Sequence, residues 1–163
     1  MTPEQISDLA AFRLTTDESD WRNVAARWSD DYWRTFRGHH HGARAADFGA
    51  YRVAAMETIR RDGTIVLVCS DKTAPDHWFA WVVFELSPSE LAIHYAYSYV
   101  FEHGFPRGAG FVRHMLTNHV LPERKPGARL VHSHLTPKWA PIAKTIGSEY
   151  HPLRFFQEHK GAL

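Results

Sequence analysis

The sequence has little cysteine, no long apolar run and almost no excess charge of either sign. Its single cysteine, Cys69, cannot form an internal disulfide or a cysteine-based zinc cluster. No stretch approaches the roughly 18 apolar residues of a membrane span, and "MTPEQISDLAAF" has neither the basic region nor the apolar core of a signal peptide. The formal net charge is +1 with twelve neutral histidines, so composition alone does not require a nucleic-acid partner. These absences predict a cytoplasmic protein.

What is present is typical of one folded domain covering residues 1–163. The chain is 44% apolar and 23% charged, and it carries six Trp, six Tyr and ten Phe, which argues against disorder. Cys69 lies in the apolar run "TIVLVCS". That setting favours a buried structural thiol over a reactive nucleophile.

Two helices are predicted early in the chain, after a short strand at "FRLT". The first is "TTDESDWRNVAARWSDDYWRTF", which Thr16 or Ser19 can cap and whose apolar stripe is Trp21, Val24, Trp28 and Tyr32. The second is "RAADFGAYRVAAMETIRR", which Asp62-Gly63 ends. Both helices present one apolar side to a core.

The remaining pattern predicts strands with two further helices. Residues 64–70, 77–86 and 91–101 read as an antiparallel meander, and a helix over 107–121 leads to the strand "ARLVHSHL". A short helix in "TPKWAPIAKTIG", capped by Thr136 and stopped by Gly147, precedes a last strand in "SEYHPLRFF". The order is β-α-α-β-β-β-α-β-α-β. The fold class is α/β (α+β), a mixed and mostly antiparallel sheet flanked by helices, with one parallel crossover.

A glycine turn interrupts the middle of the chain. In "YSYVFEHGFPRGAGFVRHML" an aromatic strand runs into Gly108 and Gly110 at the mouth of a helix. Bare amides at a helix start suit an anion, most often a phosphate, although a structural turn is the usual explanation of a lone glycine pair. Ligands also tend to bind where the strand order of such a sheet switches, which is the same place.

These residues resemble the GNAT superfamily of acyl-CoA-dependent N-acyltransferases. Tyr99-Val100 fit that family's strand end, Met115-Leu116 fit its helix continuation, and the phosphate loop matches Arg107, Gly108, Ala109, Gly110, Phe111 and Val112. The resemblance implies an acyl-CoA co-substrate, acetyl-CoA first. Its diphosphate would lie on the loop, and its pantetheine amides would pair with the backbone of Tyr99 and Phe101. The sequence departs from the family at Ala143, where a tyrosine is usual, and Pro141 is expected to interrupt the last helix.

Within that resemblance, "HSHL" offers candidates for acid and base. Ser133 could protonate the leaving thiolate, His134 could act as base and Tyr97 could bind the acceptor. Period-two alternation places Ser133 opposite both His132 and His134, and Ile93 on the same face as the neighbouring tyrosines. Partly exposed polar positions on a sheet face are the alternative. Glu102-His103 is a further possible base, and no metal site is predicted, because the adjacent His39, His40 and His41 rarely share one ion.

The predicted function is N-acyl transfer from acyl-CoA to a primary amine by direct attack in a ternary complex. The acceptor is a small-molecule amine, a peptide or a modified nucleobase, the last as in phage DNA-modification proteins of this superfamily. A non-catalytic CoA-binding or sensor module is the other alternative. Nucleic acid is only weakly indicated, since acids dilute the arginines near the aromatic helix. A monomer or a homodimer fits equally.

Overall fold

A computed structural model of the protein describes residues 1–36, 48–99 and 110–151, together with Phe155. Its helices are α1 (Pro3–Leu9), α2 (Glu18–Phe36), α3 (Phe48–Arg60), α4 (Phe111–Met115) and α5 (Trp139–Ile146). Its strands are β1 (Ala10–Thr15), β2 (Thr64–Asp71), β3 (Trp78–Leu86), β4 (Glu90–Ser98), β5 (Arg129–His132) and β6 (Glu149–Tyr150). Helix α4 continues through a π-helical turn, Leu116–Val120, and a 3₁₀ turn, Leu121–Glu123. None of the described helices is both long and apolar enough to span a bilayer.

The strands form one mixed sheet in sequence order, β1-β2-β3-β4-β5-β6. The pairs β1–β2, β2–β3 and β3–β4 are antiparallel, whereas β4–β5 and β5–β6 are parallel. The predicted fold class and order are therefore confirmed from β1 onward. The prediction of a single parallel crossover is wrong, because α5 connects β5 to β6 in parallel just as α4 connects β4 to β5.

The amino-terminal helix α1 was not predicted, although its signal is in the sequence. The Thr2 hydroxyl accepts from the Gln5 amide at 3.3 Å, and the Gln5 side chain accepts from the Thr2 amide at 2.8 Å. This reciprocal pair, with proline as the first helical residue, is a capping box. It fixes a helix whose Ile6 joins the core.

Helix α2 begins at Glu18, which agrees with neither predicted cap. Asp17 Oδ1 accepts from the amides of Ser19 at 2.7 Å and Asp20 at 3.3 Å. Asp17 is thus the capping residue, and the predictions of Thr16 or Ser19 are wrong. A carboxylate satisfies the free amides of a first turn and also interacts favourably with the helix dipole.

Pro141 does not interrupt helix α5, contrary to prediction. Pro141 is the third residue of the helix, where a backbone N–H would have no intrahelical acceptor. The Thr136 hydroxyl accepts from the Trp139 amide at 3.0 Å. Gly147 ends the helix in the left-handed region at φ 69°, as its position in the sequence predicts.

Two hydrophobic layers cover the two faces of the sheet. Helices α1, α4 and α5 pack on one face with Phe111, Met115, Leu116, Trp139 and Ala143. Helices α2 and α3 pack on the other with Val24, Trp28, Tyr51, Ala55 and Ile59. Alternate residues of β3 enter different layers, with Val82 and Phe84 on the first face and Trp81 and Val83 on the second. A residue's layer therefore tells which helices it faces.

A β-bulge in β4 disturbs this alternation at the centre of the sheet. Val83 pairs with Tyr95 and the next residue, Phe84, pairs with Ile93, so His94 has no partner in the register. A bulge lets two successive side chains face the same way. Ile93 consequently packs with the α4 layer, and Tyr95 packs with the α2 layer. The prediction that Ile93 shares a face with the tyrosines is wrong for this reason.

Candidate active site

A large cavity opens where β4 and β5 part. The two strands stay in register only as far as Ile93 and His132, after which β4 continues to Ser98 and β5 ends. The cavity has a volume of about 1130 Å³. Its walls come from residues 93–98 of β4, the start of α4 and the turn that follows it, the segment before α5 and part of that helix, the amino-terminal residues including α1, and Asp31 of α2. This volume lies slightly above the usual range for ligand pockets.

The unpaired edge of β4 supplies backbone groups to the cavity. The Tyr99 amide donates to the Phe79 carbonyl at 2.9 Å, and the predicted pairing of the Tyr99 backbone with pantetheine stays a prediction. Bonded and non-bonded pairs alternate along an antiparallel ladder. The backbone groups of Ala96 and Ser98 therefore point away from β3, and both residues line the cavity.

The beginning of α4 forms a second wall. Gly110 precedes the helix with φ 93°, in the left-handed region, and its carbonyl accepts from His114 N–H at 2.8 Å. Phe111 is buried, with its ring stacked on Phe79 at 5.0 Å between centroids. Gly110, Phe111 and Val112 all line the cavity. The other predicted cofactor-binding residues, Val100, Phe101, Arg107, Gly108 and Ala109, lie outside the described residues and stay predictions.

Ser133 and His134 are brought together in a buried chain of hydrogen bonds. Ser133 Oγ lies 2.8 Å from His134 Nδ1 and 3.1 Å from His94 Nδ1. Nε2 of His134 lies 2.8 Å from the hydroxyl of Tyr51. Both ring nitrogens of His134 are therefore bound to protein groups, although the residue lines the cavity.

The chain continues to a buried ion pair. His94 Nε2 lies 3.2 Å from Glu85 Oε2, and the same oxygen accepts from Arg61 Nη1 at 3.2 Å. Arg61 also donates to the Thr58 hydroxyl and to the Phe155 carbonyl. A buried carboxylate needs such partners, because desolvation of an isolated charge is very costly. The network joins β3, β4, α3 and the segment after β5.

The two histidines of "HSHL" face opposite sides of the sheet, contrary to the predicted alternation. His132 Nδ1 bonds the Ser148 hydroxyl at 2.8 Å, and its ring lies 5.9 Å from that of Trp139 in the α5 layer. His134 instead contacts Trp28 in the α2 layer. Strand β5 ends at His132, so period-two geometry no longer applies to the residues that follow. Burial lowers the pKa of His132 to about 4.

The fold of this chain is similar to that of a solved acetyltransferase structure. One, from Desulfovibrio desulfuricans and assigned to the GNAT family, superposes with a TM-score of 0.51 at 14% identity, covering 85% of this chain and 82% of that one. The chain has a GNAT fold. The resemblance predicted from residues 99–116 is thus confirmed as a fold.

Two other solved structures are less similar. An aminoglycoside N-acetyltransferase in complex with CoA has a TM-score of 0.47 at 11% identity, covering 86% of this chain and 88% of its own. A ribosomal-protein-alanine N-acetyltransferase from Brucella melitensis biovar Abortus 2308 has 0.38 at 10% identity, covering 94% and 90%. No family model matches the sequence, and no curated protein is significantly similar to it.

Tyr97 lies in the cavity wall of this GNAT fold, at the α2 face of the sheet. Its ring stacks on Trp81 at 5.8 Å, and the Arg27 guanidinium lies 5.5 Å from its centroid. Such a ring offers an apolar surface with a polar tip. Its predicted role in binding an acceptor agrees with this position and stays a prediction.

Asp31 is the cavity residue that the sequence reading missed. In the structure it is half-buried, lines the cavity and accepts from the Tyr95 hydroxyl at 2.7 Å. Its spacing of three residues from the buried Trp28 was the available signal, since it puts a carboxylate beside the apolar stripe. Burial, with the neighbouring Asp31 carboxylate, raises the pKa of Tyr95 well above its ordinary value.

Other chemistries receive no support from the described residues. Within them, no group of three or more histidine, cysteine, aspartate or glutamate side chains could hold a metal ion. His39, His40, His41, Glu102 and His103 lie outside the described residues. Cys69 is buried, and burial raises the pKa of its thiol to about 12. A thiol with such a pKa is a poor nucleophile near neutral pH.

Proposed function

We propose that the protein is an acyl-CoA N-acyltransferase, with acetyl as the first candidate acyl group and a primary amine as acceptor. The observation that supports this most is the distribution of charge around the cavity. Arg113 and Lys138 line it on the face covered by α4 and α5, and Asp31 lines it from α2 on the opposite face. A polyanionic donor and a cationic acceptor could therefore approach each other through the gap between β4 and β5.

The residues on the α4 side fit a CoA donor. Gly110 adopts a left-handed conformation and has no side chain that would block the approach of a ligand. The first-turn amides of a helix favour phosphate groups. Arg113 and Lys138 add positive charge. The free backbone groups of Ala96 and Ser98 could pair with the pantetheine amides as an added strand does.

The reaction that we propose needs no nucleophile from the protein. After the ammonium has released one proton to water, the amine lone pair attacks the thioester carbonyl carbon, the C–S bond breaks, and the second proton that the nitrogen loses goes to the departing thiolate. An outward N–H on β4, at Ala96 or Ser98, would donate to the carbonyl oxygen as negative charge develops there. Holding the two substrates close together in the right orientation accounts for much of the acceleration of such a transfer.

Ser133 and His134 contribute by position in this proposal. Both ring nitrogens of His134 are committed to protein partners, and Ser133 Oγ bridges His94 and His134. The Ser133 amide also donates to the Ile93 carbonyl at 3.1 Å. We therefore assign the pair to holding the point where β4 and β5 diverge, and Tyr97 to the wall of the acceptor side.

The experiment has a binding arm and a turnover arm. Acetyl-CoA and CoA should raise the melting temperature of the protein, and thiol release from acetyl-CoA should increase on addition of primary amines. Stabilisation without amine-dependent thiol release would favour the CoA-sensor alternative. Absence of both effects would refute the proposal.

Gly110→Glu supplies the matching variant, because its carboxylate would oppose the phosphates of CoA. Gly147→Glu is the control: Gly147 also has a positive φ, of 69°, and nothing lies within 4 Å of the position of an added Cβ. Both variants carry backbone strain and an added charge. Only Gly110→Glu should lose stabilisation by CoA, and equal stabilisation of the two variants would contradict the proposed donor site.

A further inference from the structure

Asp31 stands apart from the other residues that line the cavity. Of the described lining residues it is the only one with an acidic side chain, and the lining cations, Arg113 and Lys138, belong to elements on the other face of the sheet. A single carboxylate in a mostly apolar wall has a strong influence on which ligand charge is accepted.

The Asp31 carboxylate is held by one oxygen and open at the other. Tyr95 donates to Oδ2 at 2.7 Å, whereas Oδ1 has no hydrogen-bond partner among the described residues. Tyr95 is itself fixed, since it is buried and its ring stacks on Trp28 at 5.5 Å. The phenol therefore orients the carboxylate, and Oδ1 keeps its capacity to accept hydrogen bonds from a ligand.

The surroundings of Asp31 fit a cation with an apolar body. The rings of Tyr95 and Tyr97 lie in the same wall, and aromatic rings pack against apolar groups. A ligand carboxylate next to the ammonium would instead meet the like charge of Asp31. We therefore expect the site to favour amines over amino acids.

We propose that Asp31, oriented by Tyr95, is the residue that selects the acceptor by pairing with its ammonium group, and that the acceptor is a primary amine with an apolar or aromatic body and no adjacent carboxylate. This inference rests on the proposed function, because it names the acceptor for the same cavity. Asp31 acts by binding and takes no covalent part in the transfer. Tyr95 is a positioning residue.

Three ligands test the charge requirement directly. Phenethylamine, its neutral analogue 2-phenylethanol and its carboxylated analogue L-phenylalanine share one aromatic body. Calorimetric titration of the full chain, with and without CoA, should show phenethylamine binding about 10- to 100-fold more tightly than the other two, as expected for hydrogen bonds to a charged group. Absent or equal binding of the three would overturn the inference.

Asp31→Asn is the central variant, because an amide keeps an oxygen that can accept from Tyr95 while it removes the charge. It should bind phenethylamine about 10- to 100-fold more weakly, and its affinity for 2-phenylethanol should not change. Asp30→Asn is the matched control, since Asp30 is the preceding residue of α2, is about half exposed and lies near Arg34 rather than in the cavity wall. Equal affinities of the two variants for phenethylamine would overturn the assignment.

Steady-state kinetics separate this inference from the proposed function. Asp31→Asn should raise KM for phenethylamine with little change in kcat, Tyr95→Phe should raise it less, and both should keep stabilisation by acetyl-CoA. A fall in kcat at unchanged KM would contradict the binding role. If acetyl-CoA neither stabilises nor reacts while Asp31 still discriminates among the three ligands, the transferase proposal fails and the amine site remains.

Discussion

Tyr51 and His134, 83 residues apart in the chain, are joined by a hydrogen bond of 2.8 Å between the phenol oxygen and Nε2 of the imidazole. Both residues are buried, and the other ring nitrogen of His134 is bound to Ser133. The contact fastens helix α3 to the chain immediately beyond β5. It therefore stabilises the region in which the sheet opens to form the cavity.

Tyr51→Phe should lower the free energy of unfolding by about 1–3 kcal/mol, because it leaves a buried imidazole nitrogen without its partner. The ring itself, stacked on Tyr32 at 4.5 Å, is retained. Tyr150→Phe is the control, at a half-buried position, and should change stability by less than about 0.5 kcal/mol. Urea unfolding measures both, and equal losses would contradict the importance of the Tyr51–His134 bond.

Arg61→Met should destabilise the protein by about 3–5 kcal/mol, since it removes the cation that faces the buried carboxylate of Glu85. The neighbouring Arg60 pairs with Glu18 at the surface. Arg60→Met should therefore cost only about 0–1 kcal/mol. Chemical denaturation of the two variants side by side gives the comparison, and a mild effect at Arg61 would mean that Glu85 is adequately held by His94.

Acid should destabilise the protein in part through His132. Burial lowers its pKa to about 4 in the folded state, from an unfolded value near 6.5. Below about pH 6.5 the unfolded chain therefore binds a proton at this residue, whereas the folded protein keeps the imidazole neutral. The free energy of unfolding consequently falls as the pH is lowered from about 6.5 to about 4.

The expected loss from this one residue is about 3 kcal/mol between pH 7 and pH 4. His132→Gln should accordingly show a shallower decline in unfolding free energy over that interval than the unchanged protein, even if it is less stable at pH 7. Parallel slopes for the two proteins would exclude His132 as a source of the acid sensitivity.

Cys69 should not react with a disulfide reagent such as dithiobis-nitrobenzoate in the folded protein at pH 8, because it is buried and its pKa is raised to about 12. Unfolding in guanidinium should release one reactive thiol per chain. The raised pKa also means that its contribution to stability is intact below the unfolded pKa, near 9, and is lost as pH rises toward 12. Rapid labelling of the native protein would disprove the burial argument.

The sequence by itself determined the elements that local chemistry encodes. Apolar periodicity located α2 and α3, β-branched and aromatic runs located β2 to β4, and Gly147 correctly marked the end of α5. A helix between two strands predicted the parallel pair β4–β5, and the glycine turn with its helix pointed to the GNAT fold. Each of these depends on residues within one short stretch, so one sequence is enough to find them.

Only the tertiary structure decided which side chains meet in the cavity. The bulge at His94 puts Ile93 on the opposite face of the sheet from the neighbouring tyrosines. The early end of β5 lets His132 and His134 lie on opposite faces. Neither event has a local signal in the alternation of the sequence. Ser133 and His134, predicted as acid and base, are hydrogen-bonded to His94 and Tyr51, which come from distant parts of the chain, and their catalytic roles stay predictions. Asp31 gains its proposed role in the same way, because a carboxylate on an amphipathic helix reaches a cavity only when the sheet opens opposite it.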